Sequence, residues 1–215
     1  MSLRSLALTL ALIAGAMPAL AQETTPEAPA AEPAAPEAAA PEAEDLAMGS
    51  PAAPVILTKE TAQVGQGYLA SNFEQWELRC EKTEDGKDPC QLFQLLKDAN
   101  GNSVAEFSLF ALPAGGKAAA GGTIVAPLET LLTAALEIAI DTAPAKIYPF
   151  TFCAADGCVA RVGFTAAEVA AFKKGAKASV TLVPAAAPDK PVKLDVSLKG
   201  FTAGYDAVVA AAPAP

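Results

Sequence analysis

Histidine is absent from all 215 residues, and tryptophan occurs once. Without an imidazole the chain cannot build Ser-His-Asp or Cys-His catalysis, the common histidine-based metal sites, or an ordinary proton shuttle near neutral pH. Basic residues are scarce as well, 15 Lys and Arg against 24 Asp and Glu, for a net charge of −9. That balance argues against nucleic acid as a partner, because binding it needs clustered cations to displace counterions. The small group Lys173, Lys174 and Lys177 reads as the solvated end of a helix. No apolar run is long enough to cross a bilayer comfortably, so no integral membrane segment is expected in the mature chain.

The longest such run, from about Leu6 to Ala16, instead has the anatomy of an export signal. Arg4 supplies the positive start and Ala19-Leu20-Ala21 a small-x-small cleavage site. Residues 1–21 are therefore expected to be removed, leaving Gln22 as the first mature residue. The expected destination is the periplasm, or beyond it the outer membrane or the exterior.

Residues 22–54 consist of little but Ala, Pro and Glu. Recurrent proline forbids a continuous helix or central strand, and nothing large and apolar offsets the entropy of ordering. The segment is expected to be a disordered arm acting as a spacer. Glu23, Glu27, Glu32, Glu37, Glu42, Glu44 and Asp45 give it −7 with no basic residue, so the part beyond it keeps only about −3 of the total. Residues 55–210 suit one folded domain, and 211–215 form a short tail.

Within that domain the hydrophobic period is mostly two. In "WELRC", Trp76, Leu78 and Cys80 alternate with Glu77 and Arg79. "VKLDVSLKG" sets Val192, Leu194, Val196 and Leu198 against Lys193, Asp195, Ser197 and Lys199, a strand with one wet face. Further strands are predicted at 90–97, 103–112, 123–127, 136–141, 147–153, 158–164 and 179–184. Asn100-Gly101 signals a two-residue hairpin turn and Asp156-Gly157 another tight one. One helix is well marked by Thr165 as N-cap, Glu168 as its capping-box partner, lysines in the last turn and Gly175 beyond it. Residues 128–136 read as a second short helix or an apolar loop. The sum is an all-β chain: an antiparallel β-sandwich with one or two short helices.

Four cysteines remain to be placed, Cys80, Cys90, Cys153 and Cys158. A four-thiolate zinc site needs two close knuckles, and the nine residues between Cys80 and Cys90 are too many for one. A thioredoxin-type pair needs C-x-x-C at a helix N-terminus, whereas Cys153 ends an apolar strand. Export favours disulfides. Pairing Cys80 with Cys90 and Cys153 with Cys158 lets each bond bridge two strands across its own turn, within the usual Cα separation of about 5.5 Å. Loop entropy would rather favour the long closures, about 4 kcal/mol against about 2–3 kcal/mol, so reach decides the pairing. No metal and no cofactor is expected.

These residues resemble a known family. Trp76-x3-Cys80, Cys90-x3-Gln94, "IVAPL" at 124–128, the Ile-Asp pair at 140–141, "PFTFCAADGC" at 149–158 and "SLKGF" at 197–201 look like the invasion-associated locus B family of alphaproteobacteria. The resemblance runs from about Phe73 to Tyr205 and leaves out the acidic arm. Two departures concern loop shape. Alanines stand in "TAALEIAID" where a glycine is expected before the strand, and Glu129 stands where the family often has glycine. The resemblance implies an immunoglobulin-like sandwich outline, export to the envelope and, in pathogenic members, a link to host-cell entry. It implies no catalytic residues.

The leading expectation is a non-enzymatic exported protein that binds a protein of the envelope or of a host through loops or a strand edge. A chaperone-like or structural envelope protein is the alternative. A hydrolase would need carboxylates such as Asp141, Asp156 or Glu129 to converge, although Asp156 suits a turn and Asp141 a strand-end cap. Tyr68, Phe73, Tyr148 and Phe201 are aromatic candidates for a binding face, with core packing the competing role. Trp76 is expected in the core against a disulfide.

Overall fold

The computed structural model describes residues 56–212. The predicted signal, the whole of the arm at 22–54 and the last three residues lie outside them. Eleven strands and two helices follow in order: β1 (Gly67–Phe73), β2 (Trp76–Glu81), β3 (Cys90–Lys97), β4 (Ser103–Ala111), β5 (Ala120–Ala126), β6 (Leu136–Ile140), β7 (Lys146–Tyr148), β8 (Phe152–Ala154), β9 (Gly157–Phe164), α1 (Ala166–Lys174), β10 (Lys177–Leu182), β11 (Val192–Ser197) and α2 (Phe201–Ala211). They form two antiparallel sheets. Seven strands run in the order β1-β2-β3-β4-β5-β9-β8, and four in the order β11-β10-β6-β7.

Alternation puts Trp76, Leu78, Leu92, Leu96, Phe107, Leu109 and Ile124 on the buried face of the larger sheet. The smaller sheet answers with Leu136, Ile138, Val180, Leu194 and Val196. Seven of the thirteen aromatic residues form one continuous cluster in the core: Trp76, Phe107, Tyr148, Phe164, Phe172, Phe201 and Tyr205. They come from both sheets and both helices, mostly edge-to-face or tilted with centroids 5.2–6.4 Å apart. Such pairs add to the burial of large apolar area. The core is thus common to every layer.

Several elements differ from expectation for identifiable reasons. The strand predicted at 147–153 is two strands in different sheets. Pro149 cannot donate to a ladder, and there the chain leaves the four-stranded sheet at Tyr148 and joins the seven-stranded one at Phe152. Strand β1 was not expected, because its turn to β2 has no glycine: Phe73 pairs with Trp76, and Glu74 itself adopts φ 56°. The "DANGN" turn is a five-residue loop rather than a two-residue one, closed by the Asp98 carboxylate accepting the N–H groups of Asn100 and Asn102 at 2.9 Å. Residues 128–136 form no α-helix: Thr130 makes an isolated bridge to Pro184, Leu132–Ala134 form a 3₁₀ turn, and Leu136 already begins β6. The second helix is α2, which covers β1 to β4. It comes close to the sheet because Gly204 has no side chain: a Cβ there would lie 2.5 Å from Leu92 Cδ1. Helix α1 has the expected capping box between Thr165 and Glu168.

The alanine that replaces an expected glycine is at a strained position. Ala135 adopts φ 58° and ψ −170°, a region populated almost only by glycine. Strain of this kind costs about 1–3 kcal/mol, while the freer unfolded glycine returns about 1 kcal/mol. Ala135→Gly is therefore expected to raise the stability by about 1 kcal/mol, seen as a higher urea midpoint with an unchanged slope. An unchanged or lower midpoint would show that the strain is relieved elsewhere. Glu129, the other departure, has no positive φ and needs no glycine.

Candidate functional site

The four cysteines pair within their own hairpins. Cys80 bonds Cys90 across β2 and β3, and Cys153 bonds Cys158 across β8 and β9, each pair directly opposite in register with Cα atoms 4.0 Å apart. That is closer than 5.5 Å because the partners face each other squarely. Cys80 and Cys158 are buried, while Cys153 lies on the exposed edge strand. Among the described residues no cysteine is free, and no group of three or more His, Cys, Asp or Glu could hold a metal.

The three carboxylates do not converge. Asp156 occupies the β8–β9 turn and Glu129 the loop after β5, both exposed. Asp141, at φ 48°, caps the start of β10 by accepting the N–H groups of Ala176 and Lys177, each at 3.0 Å. Of the aromatic candidates, Tyr68 and Phe201 are buried, and Phe73 and Tyr148 are half-buried against the core. Tyr68 donates to Asp88 at 2.8 Å, and burial with that carboxylate pushes its hydroxyl up to about 12. Hydrogen bonds from Thr83 and Tyr68 hold Asp88 well below the usual carboxylate range. This cluster fastens the loop that the Cys80–Cys90 bond closes.

Two arrangements depend on residues far apart in sequence. The first joins the sheets at Ser197. Gln94 donates from Nε2 to the Ser197 carbonyl at 3.1 Å and accepts the Ser197 N–H on Oε1 at 2.9 Å. Trp76 Nε1 donates to the same carbonyl at 2.7 Å. One buried amide and one indole thus satisfy both backbone groups of Ser197 on an edge strand. Trp76 lies in the core as expected, edge-on to Phe107 and Phe201.

The second is a cavity of about 590 Å³ between α1, β6 and the turn into β7. Its apolar walls include Ile138, Ile140, Pro144, Phe164 and Phe172. At one end Glu168 gathers four donors. Oε2 accepts from Thr165 N at 2.9 Å and Thr165 Oγ1 at 2.8 Å, and Oε1 receives Lys146 Nζ at 2.8 Å and Tyr148 OH at 3.3 Å. Burial acts to raise its pKa, but these donors outweigh it and hold Glu168 at about 2. Burial, with the Glu168 charge beside it, pushes Tyr148 up to about 12. Lys174 and Asp141 line the other end. Sequence reasoning placed Glu168 and Lys174 only as helix-end residues and missed Lys146. Nothing in their spacing could have shown that a three-residue strand comes to lie beside the helix cap.

The family model described as "Invasion associated locus B (IalB) protein" matches residues 76–209, from Trp76 of the clamp into α2. The chain belongs to the invasion-associated locus B family. Two invasion protein B homologs, of Brucella abortus strain 2308 and of Brucella abortus biovar 1 strain 9-941, are each 30% identical over 146 residues, 68% of this chain and 82% of theirs. The crystal structure of invasion associated protein b from Bartonella henselae superposes with a TM-score of 0.55 at 23% identity. It covers 65% of this chain and 94% of that one. At that identity the likeness concerns the fold.

In this member of the invasion-associated locus B family, the residues that carry the resemblance hold the fold together. Trp76, Gln94 and Ser197 form the clamp, Asp141 caps β10, and the cysteines close two hairpins. The family match begins at Trp76, so β1 and the acidic arm lie outside it.

Proposed function

We propose that this protein is exported to the bacterial envelope and acts there without catalysis, by binding a protein of the envelope or of a host cell. One observation carries the proposal. The chain crosses between the sheets at Pro149, and the three-residue strands on either side, β7 and β8, end the four-stranded and the seven-stranded sheet. Each turns a large apolar side chain outward, Ile147 at 66% exposure and Phe152 at 44%. A sheet edge offers unpaired N–H and C=O groups, and side chains beside it give specificity. The Cys153–Cys158 bond holds this corner in place. Export is supported by the residue pattern at 1–21 and by full pairing of the cysteines, which an oxidising compartment maintains. The names of the Brucella and Bartonella relatives support a role in host-cell invasion.

Pull-down with the mature chain from envelope and host-cell extracts tests the proposal. A single stoichiometric protein partner is expected, retained by the wild type and lost by Ile147→Asp and Phe152→Asp. Turnover of a small molecule with no protein partner, or capture indifferent to both substitutions, would overturn it.

A further inference from the structure

We propose that the outer face of the seven-stranded sheet binds a second copy of this chain, packed face to face about a two-fold axis that runs along β4. Both helices and the smaller sheet lie against the other face: Phe172 meets Phe107, Gly204 comes up to Leu92, and Gln94 reaches Ser197. Among the described residues no helix or strand packs on the outer face. Its side chains are nonetheless largely apolar. Leu95 and Phe110 are 42% and 37% exposed, with Val125 and Val159 half-buried beside them. The surface is also level. The Phe110 ring lies over Gly121, where a Cβ would stand 2.4 Å from it, and Gly121 pairs with the exposed Gly163. Phe93 is buried beneath the Arg79 guanidinium, which sits 3.3 Å from the ring centroid. A flat apolar sheet face suits a second sheet, since two sheets pack about 10 Å apart with strands crossed by about 30°.

The charges select a second copy as the occupant, because the face carries its own complement. Cross-strand register puts Glu77, Phe93, Ser108, Thr123 and Arg161 in one row across β2, β3, β4, β5 and β9. Strand β4 is the middle one of the sheet, so the acid and the base stand two strands to either side of it. Rotation about an axis along β4 exchanges those positions, and each Arg161 then faces Glu77 of the other copy. Both groups have capacity for this. Arg161 has no ion pair among the described residues, and Glu77 gives Arg79 only its Oε2. A crossing of about 30° displaces the two by only about 5 Å along the strands, which an arginine side chain spans. Arg79, one row along, faces Gly163, where no side chain competes for the space. An axis across the strands would instead set Glu77 on Glu77 and Arg161 on Arg161, which like charges oppose. The five strands span a patch of about 24 by 25 Å, or roughly 1,200 Å² over two copies, at the lower end of specific interfaces. Glu106, on β4, meets its own copy across the axis as a like-charge contact. Packing of faces leaves the backbone edges of β7 and β8 unpaired, so this interface is independent of protein recognition there.

The test is analytical ultracentrifugation of the mature chain over a concentration series that brackets the micromolar range. A reversible dimer with a micromolar Kd is expected from an interface of this size. Glu77→Arg and Arg161→Glu change side chains that reach solvent, and each should weaken association by about tenfold or more, since it turns two ion pairs into two repulsions. An equimolar mixture of the two variants should associate as the wild type does, because each new charge then meets its opposite on the other variant. That recovery also shows that both variants are folded. Glu106→Gln should tighten the dimer several-fold by removing the repulsion on the axis. A chain that stays monomeric would leave the face to the acidic arm or to a foreign protein and would overturn the proposal. So would a dimer indifferent to both charge reversals, a mixture that fails to associate, or weaker association of Glu106→Gln.

Discussion

Trp76→Ala is expected to cost about 3–5 kcal/mol of unfolding free energy, the range for truncating a buried large aromatic. The indole is fully buried, packs edge-on against Phe107 and Phe201 with centroids 5.9 and 5.5 Å away, and donates to the Ser197 carbonyl. Removing it therefore opens the aromatic core and loosens the junction between the sheets. For a domain of this size each kcal/mol moves the melting temperature by roughly 2–4 °C, so a fall of about 6–20 °C is expected. Gln94→Leu, nearly isosteric, separates the two effects. It keeps the packing but leaves the Ser197 N–H without its acceptor, for about 1–3 kcal/mol. Urea unfolding of both variants with the disulfides intact checks the pair. A Trp76→Ala midpoint within error of the wild type would mean that the clamp and its cluster do not hold the sheets together.

Gly200→Ala should be comparably damaging, through the backbone instead of a cavity. Gly200 precedes α2 at φ 83°, and a Cβ there would lie 2.1 Å from the Phe73 carbonyl oxygen and 2.6 Å from its carbon. Neither atom is the movable end of a side chain, so either the β1–β2 turn or the start of α2 must shift. Backbone strain and overpacking together are expected to cost about 3 kcal/mol or more. Gly101 supplies the control. Its φ of 86° is nearly the same, but nothing lies within 4 Å of a Cβ built there. Gly101→Ala should cost only the left-handed penalty of about 1–2 kcal/mol. Equal losses at the two sites would show that conformation alone matters and that the close approach to Phe73 is unimportant.

The features legible in the sequence are those that neighbours along the chain determine. Alternation at Trp76–Cys80 and Val192–Leu198 announces half-buried strands, because a strand's side chains must point alternately inward and outward. Thr165 and Glu168 announce α1, because a helix start leaves amides that those side chains can reach. Each cysteine finds its mate within ten residues, because a hairpin brings them face to face. Strand β1 stayed hidden because Glu74 turns where glycine was the signal sought. Helix α2 stayed hidden because its N-cap is a glycine with no side-chain bond, and its alanines and valines mark no single period clearly.

The candidate sites were less legible still. Gln94 and Ser197 are 103 positions apart, and only the packing of two sheets brings them together. Lys146 meets Glu168 because Pro149 ends β7 just where α1 is pinned by Phe172. Residue pattern alone announces a histidine-free, disulfide-stapled antiparallel β chain with the motifs of the invasion-associated locus B family. Which strands end the sheets, which side chains hold Ser197 and which charged groups line the cavity under α1 emerge from packing. The difference is one of range. Propensity, capping and short disulfides act over a few residues, whereas a sheet edge or a cavity exists only after distant segments have packed.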